Sequence, residues 1–250
     1  MSDGLDGAVA LVTGAAGGLG RAIVEQLHGA GARIVAEDIA PEVAELEHAD
    51  GSIVALVGDV ALSATAERAV ALAQERFGRL DVLVNNAGRV LFRAITDTSD
   101  DEWDGLIASN ARGAFVHSRT ALPALERTGA GAIVNIASIS GLVGLRDQVA
   151  YCMTKGAVVQ LTRALAVDYA ARGVRVNAIA PGAIGTSLLL DPLREMGDLD
   201  EMLEMVAGHH PMARISSPAE IAEVVCFLAS PRASFMTGAI VAADGGYTAA

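Results

Sequence analysis

The chain has 250 residues, enough for a sizeable core in one large α/β domain or two small ones. A formal net charge of −12 argues against nucleic acid as a partner, since phosphate binding needs a basic face, and disfavours an acidic carrier protein; a small neutral substrate fits better. Apolar residues make up 52% of the chain, yet no run approaches the roughly 20 apolar residues of a membrane span, and the acidic first six residues lack the regions of a signal peptide, so a soluble cytoplasmic protein is expected.

Residues 8–13 are a short apolar run that reads as a buried strand. A glycine-rich turn follows over 14–20, and residues 21–30 then carry helical spacing at Ala22, Ile23, Leu27 and Ala30, ending at Gly31. Strand, turn and helix make a phosphate cradle: glycines admit a pyrophosphate close to the backbone, and the helix N-terminus offers amides and a positive dipole end. The spacing is Gly14, Gly18, Gly20 rather than the strict Gly-x-Gly-x-x-Gly, and without its strand and helix such a turn is only a tight connection.

Residues 33–38 form the next strand, closed by Asp38. That is either a solvated strand-end acid or an acceptor for an adenosine ribose. It would repel a 2′-phosphate, and no Arg or Lys directly follows to compensate, so NAD is expected over NADP. A third strand over 53–58 leads to Asp59 and Val60, a helix covers 65–77, and a fourth strand over 81–85 leads to Asn86, Ala87 and Gly88. Regular alternation of strand and helix predicts a parallel, doubly wound sheet.

Residues 99–125 read as one long helix, with Ser99 and Glu102 as a capping box. Asn110 lies inside it, where it either faces solvent or is kept for its polar group. The strand 132–137 delivers Ser138 to its carboxyl end, where open α/β sheets build their sites. The helix 150–171 carries Tyr151 and Lys155, four apart and therefore on one face. Taken alone, Tyr-x-x-x-Lys is most simply a surface pair. Beside Ser138, the ammonium is expected to pull the Tyr pKa below its usual ~10, so that the phenol can give or take a proton. The same helix is apolar on several sides, so one side should face the sheet and another a second subunit.

The sixth strand is placed at 174–180, with Pro181 and Gly182 breaking the chain after it. Residues 186–215, rich in Leu and Met, read as an irregular substrate lid, with His209 and His210 in a turn. Ser217, Pro218 and Glu220 open a last helix, and a last strand covers 238–242. Cys152 and Cys226 lack metal or redox spacing and read as buried small apolar groups. No metal site, repeat or linker is visible, so a single domain over 1–250 is expected.

Together these stretches resemble the short-chain dehydrogenase/reductase family over nearly the whole chain. Gly14 to Gly20 resembles its cofactor turn, Asn85 to Gly88 its fourth-strand signature, and Pro181 to Thr186 its nicotinamide-side motif. Asn110, Ser138, Tyr151 and Lys155 match its catalytic tetrad in order and approximate spacing. The resemblance implies a single-domain Rossmann-type sheet of about seven strands and a tetramer built partly on the two long helices. It implies a cofactor held by Gly14, Gly18, Leu19, Gly20, Asp38, Ile39, Asn86, Ala87, Gly88, Tyr151, Lys155, Pro181 and Gly182, with Asp59 and Val60 flanking the adenine and Ile184 and Thr186 the carboxamide. Asp38 stands where NAD users of the family carry an acid; Ala16 and Ile39 stand where many NADP users carry a basic residue. It further implies hydride transfer on the nicotinamide B face, Tyr151 as proton donor, Ser138 steadying the alkoxide, Lys155 on the nicotinamide ribose, and a water on Asn110. The expected reaction joins NAD(H) to a small secondary alcohol or ketone. The alternatives are an NADPH-dependent 3-oxoacyl-thioester reductase acting on an acyl carrier protein, and a catalytically silent nucleotide sensor.

Overall fold

A computed structural model describes residues 4–250; the first three residues, part of the acidic terminus read above, lie outside the described residues. Strands β1 (Val9–Thr13), β2 (Arg33–Asp38), β3 (Ile53–Val57), β4 (Val82–Asn85), β5 (Gly131–Ile136), β6 (Val174–Pro181) and β7 (Ile240–Ala243) pair in parallel. The seven-stranded sheet has the order β3-β2-β1-β4-β5-β6-β7. Successive side chains of a strand point to opposite faces. In β1, Ala10 and Val12 therefore join the core under helices α1 (Gly18–Gly29) and α8 (Pro218–Ala229), whereas Val9 and Leu11 join the one under α2 (Ser63–Phe77) and α4 (Gly113–Thr128). Helix α5 (Val149–Tyr169) covers β6 on that second face. Strand order reverses between β1 and β4, and the crevice above their carboxyl ends is where such sheets bind ligands.

Several expectations change. Helix α1 starts at Gly18, inside the glycine turn, because apolar spacing registers only from Ala22 onward. The long helix expected over 99–125 is interrupted. Ser99 caps α3 (Asp100–Leu106) with a complete capping box to Glu102, a π-helical segment follows over Ile107–Arg112, and only then does α4 begin. Pro181 ends β6 rather than breaking the chain before it. The stretch read as irregular contains two helices, α6 (Ser187–Met196) and α7 (Leu199–Gly208). Pro192 inside α6 and Gly197 after it disguise this, while Asp198 caps α7 by accepting from the amides of Asp200 and Glu201. Cys226 is buried as expected; Cys152 is only half-buried.

Candidate active site

One cavity of about 1280 Å³ runs along the carboxyl edge of the sheet from the end of β2 to helices α6 and α7. At its first end lies the glycine turn. The position a Cβ on Gly20 would take is 2.0 Å from the Gly14 carbonyl oxygen, and one on Gly14, whose φ is +65°, would lie 2.7 Å from Ala87 Cα. Side chains are thus excluded at both positions by the close approach of the turn's own backbone and of the β4 exit. Helix α1 has no side-chain cap, so its first amides remain available to an anion at the positive end of the helix. Asp38 is held from two sides: its Oδ2 accepts from the Ala16 amide and its Oδ1 from the Ala40 amide, both at 2.9 Å. A carboxylate has about four acceptor sites, so two remain for the cavity. Ile39, Asp59 and Val60 continue the wall.

Thr13 ties this end to the middle. Its hydroxyl accepts the amides of Asn86 and Ala87, each at 3.1 Å, and the Asn86 side chain donates to the carbonyls of Thr13 and Gly14. Gly14, Gly18, Leu19, Gly20, Asn86, Ala87, Gly88, Pro181, Gly182, Ile184 and Thr186 all line the cavity. A Cβ on Gly18 would press on the Thr186 side chain at 3.1 Å, so the glycine leaves room for that side chain across the cleft. These features fit an extended dinucleotide: amides for a pyrophosphate and an acid for a ribose.

Beyond Gly88 the four expected catalytic residues converge. The point where a Gly88 side chain would start is 3.2 Å from Asn110 Oδ1 and 3.5 Å from Lys155 Nζ. Lys155 Nζ donates to the Ile136 carbonyl at 2.8 Å and sits 5.8 Å from the centre of the Tyr151 ring. Tyr151 and Ser138 share a hydrogen bond, and Ser138, Tyr151 and Lys155 all face the cavity.

One chemical expectation is corrected. Burial pushes the Tyr151 phenol up to about 12, against the opposing pull of the Ser138 hydrogen bond, rather than down. The Lys155 ammonium sits 5.8 Å from the ring centre, and burial brings its own pKa down to about 8. Asn110, only 2% exposed, does not line the cavity. Its Oδ1 accepts from the Arg89 amide at 2.7 Å and the Ser109 hydroxyl at 2.9 Å, and its Nδ2 donates to the Arg89 carbonyl at 2.9 Å and Thr154 Oγ1 at 3.0 Å. An amide has two donors and two acceptor sites, so this side chain is engaged within the protein. It braces the Gly88–Arg89 strand exit against the Tyr–Lys helix. The π turn, a feature common at functional sites, is what carries Asn110.

Past Tyr151 the cavity continues between the 88–92 and 138–148 loops and helices α6 and α7. Its lining there includes Phe92, Leu145, Leu188, Leu193, Met196 and Met205, with Arg89, Arg146 and Asp191 among them. His210, expected only as part of a turn, is buried and fastens α7. Its Nδ1 bonds the Val206 carbonyl of α7 at 2.9 Å, its Nε2 accepts the Ala183 amide at 3.2 Å, and its ring packs edge-on against Tyr247 at 5.4 Å.

Residues 14–248 match the family model described as enoyl-(acyl carrier protein) reductase. Galactitol 2-dehydrogenase (L-tagatose-forming) of Cereibacter sphaeroides is 44% identical over 251 residues, covering 98% of this chain and 96% of that protein. 2-(S)-Hydroxypropyl-CoM dehydrogenase 3 of Xanthobacter autotrophicus is 38% identical across the full length of both. Among solved structures, ligand-free aldohexose dehydrogenase of Thermoplasma acidophilum superposes with a TM-score of 0.92 at 33% identity, covering 100% of this chain and 96% of that one.

Proposed function

The chain belongs to the short-chain dehydrogenase/reductase family, and on that premise we propose that it is an NAD(H)-dependent oxidoreductase of secondary alcohols and ketones. The observation that carries the reading is the juxtaposition, in one cavity, of a dinucleotide cradle ending in Asp38 with the Ser138–Tyr151–Lys155 cluster. A bound nicotinamide cofactor would supply the hydride donor or acceptor, and the positive charge of its oxidised form would oppose the effect of burial on the phenol. In the reducing direction Tyr151 gives its proton to the carbonyl oxygen and Ser138 donates a hydrogen bond to the same oxygen, stabilising the charge that develops there. Lys155 is fixed by the Ile136 carbonyl, which leaves its remaining N–H groups for the nicotinamide ribose. Asn110 is a positioning residue that sets the distance between Gly88 and the Tyr–Lys helix. Alcohol oxidation reverses the same steps.

The apolar side chains in the lining beyond Tyr151 support a substrate with an apolar body around a secondary alcohol or ketone. Asp38, with no cationic neighbour in the sequence following it, supports NAD over NADP. On α4 and α5, Phe115, Met153 and Val167 are 50%, 56% and 82% exposed, which supports a homotetramer that covers them. Among the described residues no helix is long and apolar enough to cross a membrane, and a cytoplasmic location accords with that.

The test is a panel of cyclic, diol, sugar and acyl-thioester alcohols and ketones, each offered with NAD(H) and NADP(H). Turnover with NAD(H) supports the reading. Turnover confined to NADPH and 3-oxoacyl thioesters would replace it with the thioester reductase, and tight dinucleotide binding with no turnover on any member would favour the silent sensor.

A further inference from the structure

Ser138 can serve as an oxyanion donor only if its single proton points at the substrate oxygen. What controls that proton lies behind it. The Ser138 oxygen accepts the Ser140 amide at 3.1 Å and stands 3.2 Å from the Ser140 hydroxyl. Ser140, only 4% exposed, is in turn 3.4 Å from the side-chain oxygen of Gln148, the residue that precedes α5. All three side chains border the cavity, and Tyr151 follows Gln148 by three positions on the same helix start. The two hydroxyl contacts are long, as catalytic hydrogen bonds often are before the substrate is in place.

The direction of this chain is decided at its far end. A hydroxyl has one proton and two lone pairs, whereas a carboxamide can present either a donor or an acceptor to the same neighbour by turning over. The structure has Gln148 Oε1 towards Ser140, so the Ser140 hydroxyl donates to Gln148 and the Ser138 hydroxyl donates back to Ser140. With Nε2 towards Ser140, the order reverses. Gln148 donates to Ser140, Ser140 donates to Ser138, and both lone pairs of Ser138 are filled from behind by the Ser140 amide and hydroxyl. Its proton then points forward, to the Tyr151 oxygen or to a substrate oxygen seated between the two hydroxyls.

We propose that Gln148 is a positioning residue for the reaction, turning its amide nitrogen to Ser140 so that a Gln148–Ser140–Ser138 hydrogen-bond relay aims the Ser138 proton at the substrate oxygen. No bond to carbon changes in the relay and no proton leaves it; it orients a dipole before the chemistry begins. The proposal rests on the assignment of Ser138 and Tyr151 above. Tyr151→Phe serves as the control for that assignment.

Gln148→Glu tests it, because an ionised carboxylate only accepts, whereas its protonated form can donate. The variant locks the relay backwards at pH 8, so kcat for ketone reduction falls by up to about 10²-fold, the scale of losing one oxyanion donor. NADH affinity, read by fluorescence titration, stays at the wild-type value. As pH falls through the range where the new carboxyl protonates, kcat of the variant climbs back towards wild type. Gln148→Leu lowers kcat without adding any pH dependence. In a Ser140→Ala background the relay is already cut, so Gln148→Glu has little further effect. A wild-type pH profile for Gln148→Glu would overturn the proposal. So would an effect of the same size with Ser140 absent, which would mean that residue 148 acts on the substrate directly. If the relay is wrong but the mechanism right, Tyr151→Phe remains inactive while both relay tests fail.

Discussion

Replacing Asp38 by Asn separates charge from shape in cofactor choice. A unit charge at about 4 Å from another interacts by roughly 4 kcal/mol at an effective dielectric near 20. Asp38 is half-buried, so solvent screening reduces this to about 2 kcal/mol against a 2′-phosphate at that range. Hydrogen bonds from ribose hydroxyls to a charged acceptor add about 1.5–3 kcal/mol in favour of NADH. The substitution also leaves either the Ala16 or the Ala40 amide facing an NH2 group, since both now donate to the carboxylate. That local loosening weakens both cofactors alike, so the ratio of the two dissociation constants isolates the electrostatics. Titrating protein fluorescence with NADH and NADPH should show Asp38→Asn weakening NADH by about tenfold and shifting the ratio towards NADPH by about 10²-fold, or ~2.7 kcal/mol. An unchanged ratio would refute the reasoning and return Asp38 to the role of a strand-end structural acid.

Asn110→Leu leaves the Arg89 amide and carbonyl and the buried Thr154 hydroxyl without their Asn110 partners. It should cost about 2–4 kcal/mol in urea unfolding and lower kcat more than it alters NADH binding; a stability within 0.5 kcal/mol of wild type would contradict the bracing role. His210→Ala unfastens α7 from Ala183. It should raise KM several-fold and expose residues 199–208 to limited proteolysis at unchanged NADH affinity, and wild-type KM and cleavage pattern would count against the latch. Burial lowers the Lys155 pKa from 10.5 to about 8, so between these values the unfolded chain binds more protons at this residue than the folded one. The stability of wild type minus that of Lys155→Met should therefore rise as pH increases from about 8 to 10.5, measured by urea midpoints; a difference that falls over this window would reverse the sign of the burial effect.

The parts of the site visible in the sequence are those encoded by neighbours in the chain. The glycine turn sits between an apolar run and a helical stripe, Asp38 closes a strand, and Tyr151 and Lys155 share a helix face. The hidden parts depend on contacts between distant segments. A π turn at Ile107–Arg112 has no composition of its own; the unfavourable mid-helix Asn110 was its only trace. The lid helices were masked by Pro192 and Gly197, residues that usually mark breaks. His210 acquires its role from Ala183 and Val206, and no local pattern shows it. The direction of the Tyr151 shift is not visible in the sequence because burial, which outweighs the Ser138 hydrogen bond, is a property of the packed fold. A periodic sequence states which face of an element is apolar, but not which polar atoms that face will leave without water.

The account stands most directly on the Tyr151 hydroxyl, which can be removed with little change in volume. Single-turnover hydride transfer from NADH to a ketone accepted by the wild type should fall by at least about 10³-fold in Tyr151→Phe, with the NADH dissociation constant within a factor of about two, because proton donation is lost while the cradle from Gly14 to Asp38 is untouched. Near-normal transfer by that variant would contradict the assignment of Tyr151 as the proton donor, and with it the mechanism built on this cavity.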